Sequence, residues 1–370
     1  MVSTVDVDAY IDTAATSGRL VTTVIVTSYV RSHPKTDLLL QVVESLKCIP
    51  SLEIGPKIIV FDGYNVSMDP KVWKTKKGLL TVEQAERYEL YFAAVQKLYE
   101  GDTSVREKTR LIKLDKHMGF AFAVREALLM CSTPYAMIVQ HDRMFAKPFC
   151  DFKKVVKVME TNGHIKYVGL PTSRSQTHHV KLKRKYKLGE FSINNRISIF
   201  SEERSQNGEA GGLTTRNLYL QPCIFWYDSN HLCNVNRYLK IYSPYLQLFD
   251  ESVIGYCGNE NIKRTKLKIG DFIEDKFGQA QRTILSKLHK QQNETMYSKL
   301  FQTFGSYLLF DVMHSATKFL RDNRNDCEKP YAGLDLPQVY VQHLRGRQYA
   351  RDSKNALNKV ILGKSAVIHA

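Results

Sequence analysis

The chain has 370 residues, 43% of them hydrophobic and 24% charged, with a formal net charge of +16 at pH 7. That balance is ordinary for a soluble globular protein, and the length allows two domains or one large one with a sizeable core. The positive charge is not ordinary: it favours an anionic partner such as a nucleotide, a phosphorylated substrate, a membrane surface or a nucleic acid, without choosing among them.

Residues 1–19 are polar and rich in Ala and Thr, a tail or short helix without the basic region and apolar core of a secretory signal. No run approaches the roughly 18 apolar residues of a membrane-spanning helix. The seven cysteines are scattered without a CxxC pair, which suits free thiols in a reducing compartment and a cytoplasmic location. The sequons at Asn65 and Asn293 are discounted because no secretory signal is read. Leu20 to Ser28 (LVTTVIVTS) is β-branched and apolar, a buried strand. After Pro34, apolar residues from Leu38 to Leu46 repeat at helical spacing, with Thr36 or Asp37 as cap. Pro50 to Pro56 reads as a loop. Lys57 to Phe61 (KIIVF) is a second buried strand ending in Asp62-Gly63, so the order is β-α-β with a parallel sheet.

An insertion from Tyr64 to Asp102 carries a helical pattern from Val82 to Tyr99. Arg110 to Leu114 is a third strand. Gly119 to Cys131 is a helix with Phe120, Val124, Ala127, Leu128 and Cys131 on one face. Tyr135 to Val139 is a fourth buried strand that breaks into Gln140-His141-Asp142-Arg143. Its polar end belongs at the carboxyl edge of the sheet, where open α/β folds bind ligands. No G-x-G-x-x-G or P-loop follows the first strand, which disfavours a dinucleotide enzyme or P-loop ATPase.

Beyond Pro148, Phe152 to Met159 reads as a helix and Tyr167 to Leu170 as a short strand. His178-His179 and the basic run Lys181 to Lys187 read as loop, and Ser201 to Gly212 as a flexible loop. Leu218 to Tyr227 is a strand pair or one bent strand. Helical patterns return from Asn230 to Leu239 and from Lys276 into the 310s. Pro337 to Gly346 is a strand-like run closing on His343.

With these pieces placed, the chain resembles a family 2-like glycosyltransferase of GT-A fold, over roughly Val21 to Asp275 and more weakly to Gly346. The resemblance implies an α/β fold with a central, mostly parallel sheet, flanking helices and a helical C-terminal extension. Residues 20–280 would form the transferase domain, 20–145 the nucleotide-binding half and 146–280 the acceptor half; 281–370 would pack back on it. The loop Thr27-Ser28-Tyr29-Val30-Arg31 and Asp62 would face the nucleotide. Gly119 and Arg125, in the stretch His117 to Ala127, would lie near the diphosphate. Gln140-His141-Asp142 falls on the strand-end metal motif, with Gln140 in place of its first acid, and His343 resembles a late metal-binding histidine. Glu274-Asp275 resembles the acidic pair that supplies the base, Asp275 being the better match.

The chemistry asks for these residue types. Sugar transfer expels a diphosphate whose charge a divalent cation or basic side chains must meet, and a carboxylate must take the acceptor hydroxyl's proton. The resemblance therefore implies an inverting transferase using a nucleotide sugar, a UDP-sugar first, with Mn²⁺ or Mg²⁺ and a glycan or other hydroxyl acceptor. An imidazole ligand favours Mn²⁺. Each residue also has a plainer reading: Asp62 as a turn cap with Gly63, Arg125 in a surface ion pair, Glu274-Asp275 as helix-start acids, His343 as a buried histidine. The basic run is a solvated loop or a clamp for a charged acceptor or membrane surface. Two other functions compete. A sugar-phosphate nucleotidylyltransferase needs glycines that Ser28-Tyr29-Val30-Arg31-Ser32 lacks. A polyanion- or RNA-binding protein needs interleaved aromatics, and the basic run offers only Tyr186; no nucleic-acid partner is expected.

Overall fold

The computed structural model describes residues 20–69, 77–100, 108–203, 215–242, 258, 262–291, 294–314 and 338–344. The N-terminal tail, most of the expected 201–212 loop, Asn293 and the chain from 345 onward lie outside them.

Strand β1 (Val21–Thr27) is buried along its whole length, as a continuous β-branched run must be when helices cover both faces of a parallel sheet. It pairs in parallel with β2 (Lys57–Phe61) on one side and β6 (Tyr135–Gln140) on the other. β2 pairs in parallel with the edge strand β5 (Thr109–Lys113). The crossovers are helical. Helix α1 (Asp37–Ser45) buries Leu39 and Val42. Residues expected as a loop form a short helix, α2 (Pro50–Ile54), with proline in its first turn, where no N–H is missed. The insertion holds a parallel ribbon of β3 (Asn65–Ser67) and β4 (Leu79–Thr81), followed by α3 (Val82–Glu100). Helix α4 (Gly119–Leu129) packs on β1 and β2 through the expected face of Phe120, Val124, Ala127 and Leu128.

The second half continues the same sheet. After β7 (Arg143–Phe145), α5 (Phe152–Thr161) and β8 (Tyr167–Gly169), the residues read as loop around His178 form α6 (His178–Arg184), which buries His178, Val180 and Leu182 and exposes its cations. Then come α7 (Gly189–Asn194), β9 (Ile197–Glu203) and β10 (Thr215–Pro222). The segment expected to be helical from Asn230 begins as a strand, β11 (His231–Asn234), and turns into α8 (Val235–Leu239) only where the Asn234 side chain caps the Arg237 N–H. A π-helical turn, Glu274–Gly278, leads into α9 (Gln279–Lys290) and α10 (Glu294–Phe304).

The helical reading after residue 280 holds to Phe304 and then fails. Ser306–His314 is a strand, β12, inside the sheet. Tyr307 and Leu309 join the main core, while Leu308, Phe310 and Val312 form a second cluster with Tyr219. A short run that is apolar on both faces cannot be told from a buried helix by periodicity alone. The final strand, β13 (Val341–His343), pairs antiparallel with β7.

The large sheet has nine strands in the order β5-β2-β1-β6-β11-β8-β12-β10-β9. β11 runs against β6 and β8, and β10 against β12 and β9; the remaining pairings are parallel. Seen this way most strands share one direction, the α/β arrangement expected of a GT-A-like sheet. Two regions therefore open at one carboxyl edge, the first over β2, β1 and β6, the second over β6, β11 and β8.

The second region rests on aromatic packing. Trp226 is fully buried against Tyr167 and Phe277, with ring centroids 5.1 and 4.9 Å away. Burial of a side chain of this kind stabilises by about 1.5–3 kcal/mol. Gly278 lies so close that an added Cβ would stand 2.6 Å from the Trp226 carbonyl oxygen. The contact docks the π-helical turn onto the segment after β10.

Candidate active site

Backbone hydrogen bonds align the strand ends. Asp62 N–H donates to the Thr27 carbonyl at 2.8 Å, and His141 N–H to that of Val26 at 3.1 Å. The residues after β1, β2 and β6 consequently line one cavity of about 270 Å³. Tyr29, Tyr64, Phe120 and Phe272 give it aromatic walls, and His117, Gln140, His141 and Asp142 give it polar ones. Phe272 stacks on Phe120 with centroids 6.2 Å apart.

Asp62 is buried at the rear of this cavity. Its carboxylate accepts the Met118 and Gly119 N–H groups at 2.8 and 3.1 Å and sits 2.9 Å from His117 Nδ1. It thus closes the start of α4, where unpaired N–H groups and the helix dipole favour a negative charge. Among the described residues, with Nδ1 facing Asp62, His117 Nε2 has no partner, and neither has Nε2 of His141, whose Nδ1 is 3.3 Å from the Val26 carbonyl. Both histidines line the cavity. An imidazole nitrogen donates or accepts according to its tautomer, so either ring suits a ribose hydroxyl or a polar group of a base.

Gly119 has φ +75°, and a Cβ there would stand 2.6 Å from Gly270 Cα. The strap 268–273 crosses at this point, its Gly270 N–H donating to Met118 O at 2.7 Å and its Asp271 O accepting from Ala121 N at 3.3 Å. Gly119→Ala is expected to destabilise the fold by about 2–5 kcal/mol, the sum of left-handed strain and overpacking. Urea unfolding measures it; a loss under about 1 kcal/mol would mean that the strap yields freely.

Asp142 and His343 come together although they are remote in sequence. β13 lies on β7, Leu344 N–H donates to Asp142 O at 2.7 Å, and His343 Nε2 reaches Asp142 Oδ2 at 3.0 Å. Burial works against the charge on Asp142, but the His343 hydrogen bond and the nearby His141, His343 and Arg143 outweigh it and hold its pKa below the usual value. A carboxylate and an imidazole suit a Mn²⁺ ion that takes its other ligands from a diphosphate. Among the described residues no group of three or more His, Cys, Asp or Glu is placed to hold a metal ion, so an ion here would draw its other ligands from substrate oxygens. Gln140, in the place of the motif's first acid, instead donates its amide to the Asp228 carbonyl.

Asp228 and Glu274 form a carboxylate pair. Glu274 accepts the Asp228 N–H, and Asp228 accepts the Glu274 N–H, both at 3.1 Å. Burial and then Glu274 push the Asp228 carboxyl well up. Burial, with Asp275 adding to it, also raises Glu274, while the Asp228 N–H, Arg143 and Arg174 pull it partly back. Asp275 is exposed. The sequence reading missed Asp228; its signal was an acid between the aromatic run Phe225-Trp226-Tyr227 and the turn residues Ser229-Asn230.

The other expected contacts are placed as follows. Tyr29 lines the cavity, its ring edge-on to His33 and Tyr88. Thr27 is buried with its hydroxyl 3.2 Å from Tyr91 OH and does not line the cavity. Arg31 is exposed outside the lining, and Arg125 is paired with Glu126, also outside it. The cations Lys181, Lys183, Arg184, Lys185 and Lys187 are exposed and line no part of it.

No protein-family model and no curated protein matches the chain. Among solved structures it is similar to TarS of S. aureus, with 11% identity and a TM-score of 0.26 over 42% of this chain and 22% of that one. It is also similar to TarS 1–349 in complex with UDP-GlcNAc, with 10% identity and a TM-score of 0.27 over 42% of this chain and 34% of that one. A third is the mannosyltransferase PcManGT from Pyrobaculum calidifontis in complex with GDP-Man and Mn²⁺, with 11% identity and a TM-score of 0.32 over 62% of this chain and 52% of that one. The matched part is about half or less of each of those chains, and likeness this slight carries no argument about chemistry.

Proposed function

We propose that the chain is a glycosyltransferase that moves a sugar from a nucleotide-sugar donor, a UDP-sugar, to a hydroxyl acceptor with inversion. The observation that carries the reading is the sequence of groups along one sheet edge. An aromatic cavity with two histidines whose Nε2 atoms have no partner among the described residues comes first, then Asp142 with His343, then the Asp228–Glu274 pair. A base and ribose fit the first, a diphosphate the second, an acceptor hydroxyl the third.

In this reading Tyr29, Phe120 and Phe272 enclose the base, and His117 and His141 hydrogen-bond to base or ribose. Asp142 and His343 would hold a Mn²⁺ or Mg²⁺ ion, which when bound supplies positive charge to the leaving diphosphate. Glu274 takes the proton of the acceptor hydroxyl; its raised pKa brings it nearer the range of an effective base. Asp228 positions Glu274 through the reciprocal backbone bonds. Asp275, exposed beside it, orients the acceptor or takes the base role itself. Among the described residues no helix is long and apolar enough to cross a membrane. The free thiols of Cys48, Cys131, Cys150, Cys223 and Cys233 agree with a reducing, cytoplasmic setting.

Thermal denaturation with nucleotides tests the donor half. A ligand bound only by the folded state at 100 times its Kd stabilises by about 2.7 kcal/mol. UDP is expected to raise Tm, and to raise it further with Mn²⁺. No shift with UDP, GDP or their sugars at millimolar concentration would remove the nucleotide reading.

A further inference from the structure

Arg143 and Arg174 do not line the donor cavity. Arg143 opens β7 immediately after Asp142, and its carbonyl accepts the Asn230 side-chain N–H at 2.9 Å. Arg174 lies in the turn closed by Ser175 N–H to the Thr172 carbonyl at 3.1 Å. That turn is tied to the strap carrying His343: Tyr340 and Val341 N–H donate to Pro171 O at 3.0 and 3.1 Å. The same strap pairs with β7. Both arginines therefore belong to the region over β6, β11 and β8, where Asp228 and Glu274 also stand.

The Arg143 side chain is only 20% exposed, and its Nε stands 3.9 Å from Asp142 Oδ1. That is beyond hydrogen-bond reach, and among the described residues Nε has no hydrogen-bond partner. A guanidinium withdrawn from water without a hydrogen-bonded anion on that atom is costly. Asp142 is hydrogen-bonded to His343 at 3.0 Å instead, and it meets Arg143 only at 3.9 Å. Arg174 adds a second positive charge close enough to act on both Arg143 and Glu274. From there Lys181 Nζ donates to the Arg174 carbonyl at 3.4 Å, and the exposed cations of α6 continue outward.

We propose that the acceptor is anionic: Arg143 and Arg174 hold a phosphate or carboxylate group adjacent to the hydroxyl that Glu274 deprotonates. Guanidinium forks match both anions in bidentate geometry. The inference rests on the glycosyltransferase reading for the word acceptor, but the anion site itself does not need transfer in order to be seen.

The experiment uses the full chain and one oligosaccharide in three forms: neutral, carboxylated and phosphorylated. Equilibrium binding is measured without nucleotide, and transfer from a mixture of UDP-sugars is measured separately. The charged forms are expected to bind at least 10-fold tighter than the neutral one, and the ratio of the two charged forms identifies the anion. Arg174→Gln is expected to weaken charged-form binding by about 10- to 100-fold, the size of one or two charge-assisted hydrogen bonds. The loss should appear in acceptor KM rather than in kcat, with the affinity for UDP unchanged. Arg143→Gln should act likewise and Arg143→Lys should restore part of the loss, which separates a lost contact from a lost fold. Equal binding of neutral and charged forms overturns the proposal. A large fall in UDP affinity in Arg143→Gln also overturns it, assigning that guanidinium to the donor. If the charged forms bind and no nucleotide does, the anion site stands and the transferase reading falls.

Discussion

Glu274→Gln is expected to lower sugar transfer by about 10²- to 10⁴-fold, the usual contribution of a positioned base, while donor binding persists. That is about 3–5 kcal/mol of barrier at 1.36 kcal/mol per tenfold. The geometry explains why the loss should fall in kcat. The amide keeps an oxygen that can still accept the Asp228 N–H, so the turn stays docked and only the proton-accepting charge is lost. Asp275→Asn is the paired measurement: Asp275 is exposed and should cost less, and a larger loss there would move the base to Asp275.

The pH profile checks the same assignment. Glu274 faces Asp228, Asp275, Arg143 and Arg174, and with burial leading, its pKa stands above the ordinary value. The base must be ionised, so kcat/KM should rise with pH through that raised pKa. The acid limb should lie above the ordinary carboxylate range and disappear in Glu274→Gln. The sign for stability is opposite. A carboxyl whose folded pKa is raised stabilises most below its unfolded pKa and loses that contribution as pH rises through the folded one. Asp228, pushed furthest, should therefore make Asp228→Asn more heat-stable than the parent at alkaline pH, with the gain fading in acid.

Asp142→Ala is expected to cost transfer about 10²- to 10³-fold, the range for removing one electrostatic contact to the charge that develops on a leaving group. It should also erase any Mn²⁺-dependent gain in UDP affinity. Two features make the site sensitive. His343 meets Asp142 at 3.0 Å, and no described cluster offers a third metal-binding side chain. Loss of one donor from two leaves an ion held mainly by the nucleotide. His343→Ala should act in the same direction with a smaller effect. Titration of UDP with and without Mn²⁺ reads both variants; unchanged metal dependence in Asp142→Ala would remove it from the metal site. Activity that ignores Mn²⁺ altogether would leave the diphosphate to the chain's own cations.

The first half of the fold was legible because its signals are local. LVTTVIVTS and KIIVF are β-branched and apolar without interruption, and β1 and β2 are buried accordingly. Helices α3 and α4 begin where the periodicity changes. Once those strands are parallel, chain geometry alone brings Asp62 and Gln140–Asp142 to one edge, because parallel crossovers return every strand end to the same side.

The second half was not legible in the same way. The sequence 306–314 is apolar on successive residues, and only its place between β8 and β10 makes it a strand. Asn230 to Leu239 reads as one helix, but Leu232 and Cys233 pair with both β6 and β8, and ladder hydrogen bonds on two sides outweigh helical propensity. The detail of the site is also tertiary. A strand end in sequence does not show that Asp62 will be taken up by the start of α4, that Gln140 will turn to Asp228, or that Asp228 and Glu274 will exchange backbone hydrogen bonds. The sequence by itself determined the layered α/β architecture and the residues that stand at its carboxyl edge, because periodicity and β-branching act within a few residues. The tertiary structure alone decided which of those residues meet, because pairings such as β7 with β13 and burial around Trp226 are set by how the whole chain packs.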